Sequence, residues 1–179
     1  MNDVFFNQYI KLLNEMKDKS FGGNLSEYDF IRSMVLLNPQ SYGNRIEKRL
    51  IEKFKGVPVS SKIDKGDMIV NKLYYEIKTS ILFNNNNNLN LVQLRLWQDI
   101  DFYLCVVYDL RNGKFEQYTF LLSKSEMIKE SQLCNMSSAH GTKKANKANL
   151  NIELRYSLVF KENNPVLVRW LEKYRIKNK

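Results

Sequence analysis

Hydrophobic and polar positions along the chain follow a helical period up to residue 54 and a period of two beyond residue 67. In the segment 3–17, apolar residues fall at Val4, Phe5, Ile10, Leu12, Leu13 and Met16; in 26–37 they fall at Tyr28, Phe30, Ile31, Met34, Val35 and Leu37. Both spacings predict helices, separated by the turn Phe21-Gly22-Gly23-Asn24. A third helix is expected from Gly43-Asn44 through Phe54, ending before Gly56 and Pro58. Its positions 47, 50, 51 and 54 share a face, so Glu47 lies in line with Leu50, Ile51 and Phe54. An acid in that row either rims the buried stripe or serves a site.

From Asp67 the pattern is that of strands. Asp67 to Val70 and Leu73 to Ser80 form a hairpin about Asn71-Lys72. The run Asn84 to Asn88 cannot bury itself and reads as a mobile loop. Phe102 to Tyr108 is apolar without alternation, the mark of a central strand buried on both faces. Arg111-Asn112-Gly113-Lys114 turns it back into a strand over 115–122, and a short helix follows over Ser125 to Glu130. The stretch 135–151, rich in Ser, Lys and Asn, is too poor in apolar residues for a core element. A strand over 150–160 and a helix opened by Asn164-Pro165 complete the chain. The order of elements predicts one α/β domain over 1–179, a central mixed β-sheet flanked by helices. Within it 1–42 is a helical N-terminal part, 43–125 the core, and 126–179 a loop, strand and C-terminal helix.

Composition narrows the chemistry. The 28 Lys and Arg outnumber the 19 Asp and Glu, giving a net charge of +9 that suits an anionic partner such as nucleic acid. No apolar run is long enough to span a membrane, and no secretory leader pattern stands at the amino end, so a cytoplasmic protein is expected. Two cysteines, Cys105 and Cys134, and one histidine, His140, cannot build the usual zinc sets or a Ser/His/Asp triad. A hard metal held by carboxylates, with a catalytic lysine, remains open.

Such a group is visible in the hairpin. A two-residue turn at Asn71-Lys72 pairs 70 with 73, 69 with 74, 68 with 75 and 67 with 76, setting Asp67 opposite Glu76. Like charges directly opposed repel unless a cation lies between them. Lys78, two residues beyond Glu76, points to the same face. Two carboxylates beside a lysine suit phosphodiester hydrolysis, with the Ile77 carbonyl as a further metal ligand. The bland alternative is a solvated strand face on which Glu76 pairs with a lysine.

The string Gly66-Asp67, then eight residues, then Glu76-Ile77-Lys78 resembles the core motif of the PD-(D/E)xK nuclease superfamily. Gly66 stands where that motif carries its proline. Glu47 on the preceding helix resembles the additional acid of many members, and Gln93-Leu94-Arg95-Leu96-Trp97 is similar to a glutamine-plus-aromatic element after the lysine strand. With the late His140-Gly141-Thr142-Lys143-Lys144 loop, the chain looks most like a type II restriction endonuclease.

The resemblance implies a restriction-endonuclease-like fold and hydrolysis of double-stranded DNA with Mg2+, for which Mn2+ would substitute. It implies a catalytic set of Asp67, Glu76, Lys78, Glu47 and Gln93, with Asp67, Glu76 and Ile77 at the metal. Arg95, His140, Thr142, Lys143, Lys144, Asn146 and Lys147 are the candidate DNA contacts. Cutting both strands of a palindrome calls for a homodimer, and host DNA would need protection by a cognate methyltransferase. The competing readings are a structure-specific or repair nuclease of the same superfamily, and a non-catalytic DNA-binding module.

Overall fold

The computed structural model describes residues 25–35, 37, 39–139, 145 and 150–176. The helix expected over 3–17 and the turn after it lie outside the described residues. Helix α1 (Glu27–Met34) starts at Ser26, whose Oγ accepts a hydrogen bond from the Asp29 N–H at 3.1 Å and so satisfies one of the free N–H groups of the first turn. Helix α2 (Pro39–Lys53) begins at its proline, four residues earlier than Gly43. Gly43 does not break it, and a Cβ there would have nothing within 4 Å.

Nine strands follow among the described residues: β1 (Val57–Pro58), β2 (Met68–Val70), β3 (Leu73–Leu82), β4 (Asn88–Arg95), β5 (Phe102–Asp109), β6 (Glu116–Ser123), β7 (Ser137–Ser138), β8 (Glu153–Val159) and β9 (Arg175–Ile176). Helices α3 (Lys124–Leu133) and α4 (Pro165–Lys173) lie between them in the chain. The main sheet has the order β1-β2-β3-β5-β6-β9 and is mixed: β3 pairs parallel with β5, and the other pairs are antiparallel. The interior of β5, Tyr103 to Tyr108, is buried throughout, as its unbroken apolar run predicts.

One face of this sheet carries Ile77, Ile81, Leu104, Val106 and Tyr108, packed against Phe30, Ile31 and Met34 of α1 and Ile46, Leu50 and Ile51 of α2. The other face carries Tyr103, Cys105, Val107, Phe120 and Leu122. It is covered by more than helices: a second, three-stranded sheet of order β4-β8-β7 packs there with Met127 of α3 and Trp170 of α4. The 84–88 run is correspondingly not a long loop. Phe83 and Asn86 bridge each other, and Asn88 already begins β4. Nor is 135–151 without core residues, since Met136 and Ala145 are buried and β7 pairs with β8.

An ion pair between the buried Glu130 and the part-exposed Arg169 ties α3 to α4. Glu130, 2% exposed, accepts hydrogen bonds from Arg169 Nη2 at 2.6 Å, Trp170 Nε1 at 2.9 Å and Tyr174 OH at 3.0 Å. Burial alone would raise its pKa, but these donors outweigh it and hold the carboxyl below the usual range. Among the described residues no helix is long and apolar enough to cross a membrane.

Candidate active site

The site is built on the edge of β3. The Asn71-Lys72 turn has positive φ at both residues, 51° and 68°, the backbone of a type I′ hairpin turn. It sets the expected register of Val70 with Leu73, Ile69 with Tyr74 and Met68 with Tyr75. The ladder then stops, one pair short of placing Asp67 opposite Glu76. The Asp67 N–H bonds instead to the Tyr75 carbonyl at 2.8 Å, and its Oδ2 accepts the Ile77 N–H at 2.7 Å. The expected face-to-face opposition is therefore corrected to a carboxylate lying along the strand edge.

Gly66 explains the deviation. Its φ is +74°, and a Cβ there would lie 2.6 Å from the Tyr75 carbonyl oxygen. Only glycine takes that conformation without strain and lets the chain approach so closely. Proline, whose ring fixes φ near −65°, cannot occupy this position.

Past Tyr75, β3 has no β2 partner, and its edge is met instead by Asp67 at the Ile77 N–H and by Asn86 at the Ile81 carbonyl. Backbone N–H and C=O of a strand residue leave on the same side. The Ile77 carbonyl therefore faces the edge where Asp67 lies. Glu76 is 4% exposed. Its Oε1 accepts from Lys78 Nζ at 2.6 Å, while its Oε2 is buried and has no hydrogen-bond partner. A buried carboxylate oxygen left bare is costly.

The electrostatics bind four residues into one cluster. Burial, then the charges of Glu76 and Glu47, push the Asp67 carboxyl up to about 7, against the opposing pull of the Ile77 N–H and Lys78. Glu47, half-buried on α2, is raised by burial first and then by Glu76, while Lys78 and Lys48 pull it down. Asp67, Glu76, Lys78 and Glu47 thus lie within reach of one another's charge. Among the described residues no three His, Cys, Asp or Glu side chains already close round a metal position. The carboxylates feel one another's charge without converging on a point.

Gln93 is not brought into hydrogen-bond contact with this cluster. It stands exposed at φ +53° in a bulge of β4, on the second sheet. Arg95 is paired with Glu153 at 2.8 Å. His140, Thr142, Lys143, Lys144, Asn146 and Lys147 lie outside the described residues.

Two neighbours of the cluster carried no sequence signal. Cys105 lies beside Lys78 in the parallel register, and burial pushes its thiol up to about 12. Ser80, two residues beyond Lys78, accepts the Asn90 N–H at 3.0 Å and so joins the second sheet to the strand that carries the site. A cleft of about 780 Å3 opens elsewhere, lined by Asp109, Arg111, Lys114 and Lys161. None of the four clustered residues lines it, and its Arg111 is already bonded to Asp109.

Compared with known proteins, the chain matches no family model and no curated protein.

Proposed function

We propose that this protein is a metal-dependent endonuclease that hydrolyses phosphodiester bonds of double-stranded DNA at a short specific sequence, in the manner of a type II restriction enzyme. One observation carries the reading: Glu76, with its Oε2 buried and bare, is paired with Lys78 and feels the charges of Asp67 and Glu47. Such a set is unfavourable alone and becomes favourable with a divalent cation.

Asp67, Glu76 and the Ile77 carbonyl would hold Mg2+ or Mn2+, with Glu47 completing the charge around it. A cation bound there would polarise the phosphoryl group and lower the pKa of a bound water. Lys78 has three donors, of which Glu76 Oε1 takes one. The remaining two can orient the attacking water and hold a non-bridging oxygen of the scissile phosphate. Held beside Glu76 and only 13% exposed, the ammonium needs little reorganisation to face the charge that builds in the transition state. The +9 net charge favours the polyanion as substrate.

The test offers linear duplex and four-way junction DNA to the protein in magnesium, beside a Glu76→Ala variant. Cleavage of linear duplex that the variant loses supports the reading. Preference for the junction replaces it with a repair nuclease, and salt-sensitive binding without cleavage replaces it with a binding module.

A further inference from the structure

The second sheet has one buried and one open face. Leu89, Leu91 and Leu94 of β4 and Leu154, Tyr156 and Leu158 of β8 point into the core. The alternate residues point away from it. Val92 is 56% and Val159 44% exposed, and Gln93 and Arg155 are exposed with them.

The register gives this open face a centre. Leu91 pairs with Tyr156 and Leu94 with Leu154, so Val92 and Gln93 together oppose the single Arg155. That is a β-bulge, a device that re-aims side chains at an edge or beside a site. At φ +53°, Gln93 holds a backbone conformation a glutamine rarely adopts. Arg155 has no ion-pair partner among the described residues, in contrast to Arg95 with Glu153. Strand β4 is tied to the strand of the cluster, because the Asn90 N–H is bonded to Ser80, two residues beyond Lys78.

We infer that this outer face of β4 and β8 is the surface that selects the DNA sequence, with Gln93 and Arg155 reading base edges in the major groove. The inference rests on the nuclease reading above. A two-stranded β-ribbon fits the major groove, and β4 with β8 is two-stranded along most of its length because β7 is only two residues long. The chemistry on the ribbon is that of base readout. The guanidinium of Arg155 matches the paired acceptors of guanine, the Gln93 amide matches the donor and acceptor of adenine, and Val92 offers an apolar contact to a thymine methyl. The basic chain supplies charge complementarity to the duplex.

The experiment selects bound sequences from a pool of random duplexes in the presence of a chelator, using wild type, Arg155→Ala, Arg155→Lys and Gln93→Asn. Wild type is expected to enrich one short sequence. Arg155→Ala and Gln93→Asn should each lose preference at one or two positions, by about 5- to 150-fold per position. Arg155→Lys keeps the charge without the planar fork, so it should retain salt-sensitive affinity and lose the preference. A uniform loss of affinity with the preferred sequence intact would assign the face to phosphate contact and overturn the inference. It is equally overturned if the variants select as wild type does, or if wild type enriches nothing. Because the selection runs without metal, failure to cleave in a parallel magnesium reaction would count against the nuclease reading, not against the reading face.

Discussion

The most exacting consequence of the clustered carboxylates is that neutralising one of them should stabilise the metal-free protein, and only at high pH. Asp67→Asn is the informative change. Asparagine keeps an oxygen for the Ile77 N–H, which Oδ2 now accepts at 2.7 Å, and removes the charge that Glu76 and Glu47 oppose. Burial and those charges raise the Asp67 pKa from 3.8 to about 7, so the folded chain holds this proton more tightly than the unfolded chain does. Stability carried by the protonated form is complete below about pH 4 and is lost as the pH rises through about 7. At about 1.36 kcal/mol per pKa unit, the loss above pH 8 amounts to up to about 4 kcal/mol. For a domain of this size that corresponds to roughly 10 °C in Tm. In chelator, Asp67→Asn should therefore melt with wild type at pH 4.5 and well above it at pH 8.5. Magnesium at pH 8.5 should then raise wild type by about 2.7 kcal/mol at a hundredfold excess over its Kd, and the variant by less. Parallel melting curves for the two proteins across this pH range would refute the account of a strained carboxylate cluster.

Three further outcomes follow from other parts of the molecule. Gly66→Ala places a Cβ 2.6 Å from the Tyr75 carbonyl oxygen at positive φ, so it should cost about 1 to 3 kcal/mol in urea unfolding and displace Asp67; wild-type stability would contradict this. Glu130→Ala leaves the buried Trp170 Nε1 without its acceptor and should cost about 1 to 3 kcal/mol by chemical denaturation. Because the Glu130 pKa is held low, its contribution should persist above its unfolded value and fade only as the pH falls through the folded one. Lys78→Ala should keep duplex binding while lowering magnesium-dependent cleavage about 100-fold or more in single-turnover assays; unchanged cleavage would remove the lysine from the mechanism.

What the sequence disclosed and what it concealed divide along physical lines. The hairpin about Asn71-Lys72 was legible because a two-residue turn and period-two alternation fix the register together. That register brought Asp67, Glu76 and Lys78 to one place, and helical spacing added Glu47. The last pair was misjudged because Gly66 turns the chain at positive φ and the ladder ends at Met68, a change in backbone path that alternation does not encode. Strand β4 was hidden twice. The asparagine run masked its start, and the bulge at Val92-Gln93 interrupts the alternation that Asn88-Leu89-Asn90-Leu91 begins. Gln93, expected in the catalytic set on the resemblance, stands on the open face of the second sheet. The start of α2 was concealed by Gly43, which marks a boundary in isolation but here sits inside the helix, while Pro39 gave the signal of a first helical position.

The account is tested most directly by incubating long unmethylated duplex DNA, rich in different short sequences, with the purified protein and magnesium, beside Glu76→Ala and chelator controls. The predicted result is a set of discrete fragments that disappears in both controls. Intact DNA under every condition, or the same fragments from Glu76→Ala, would contradict the assignment of a metal-dependent, sequence-specific nuclease to this carboxylate cluster.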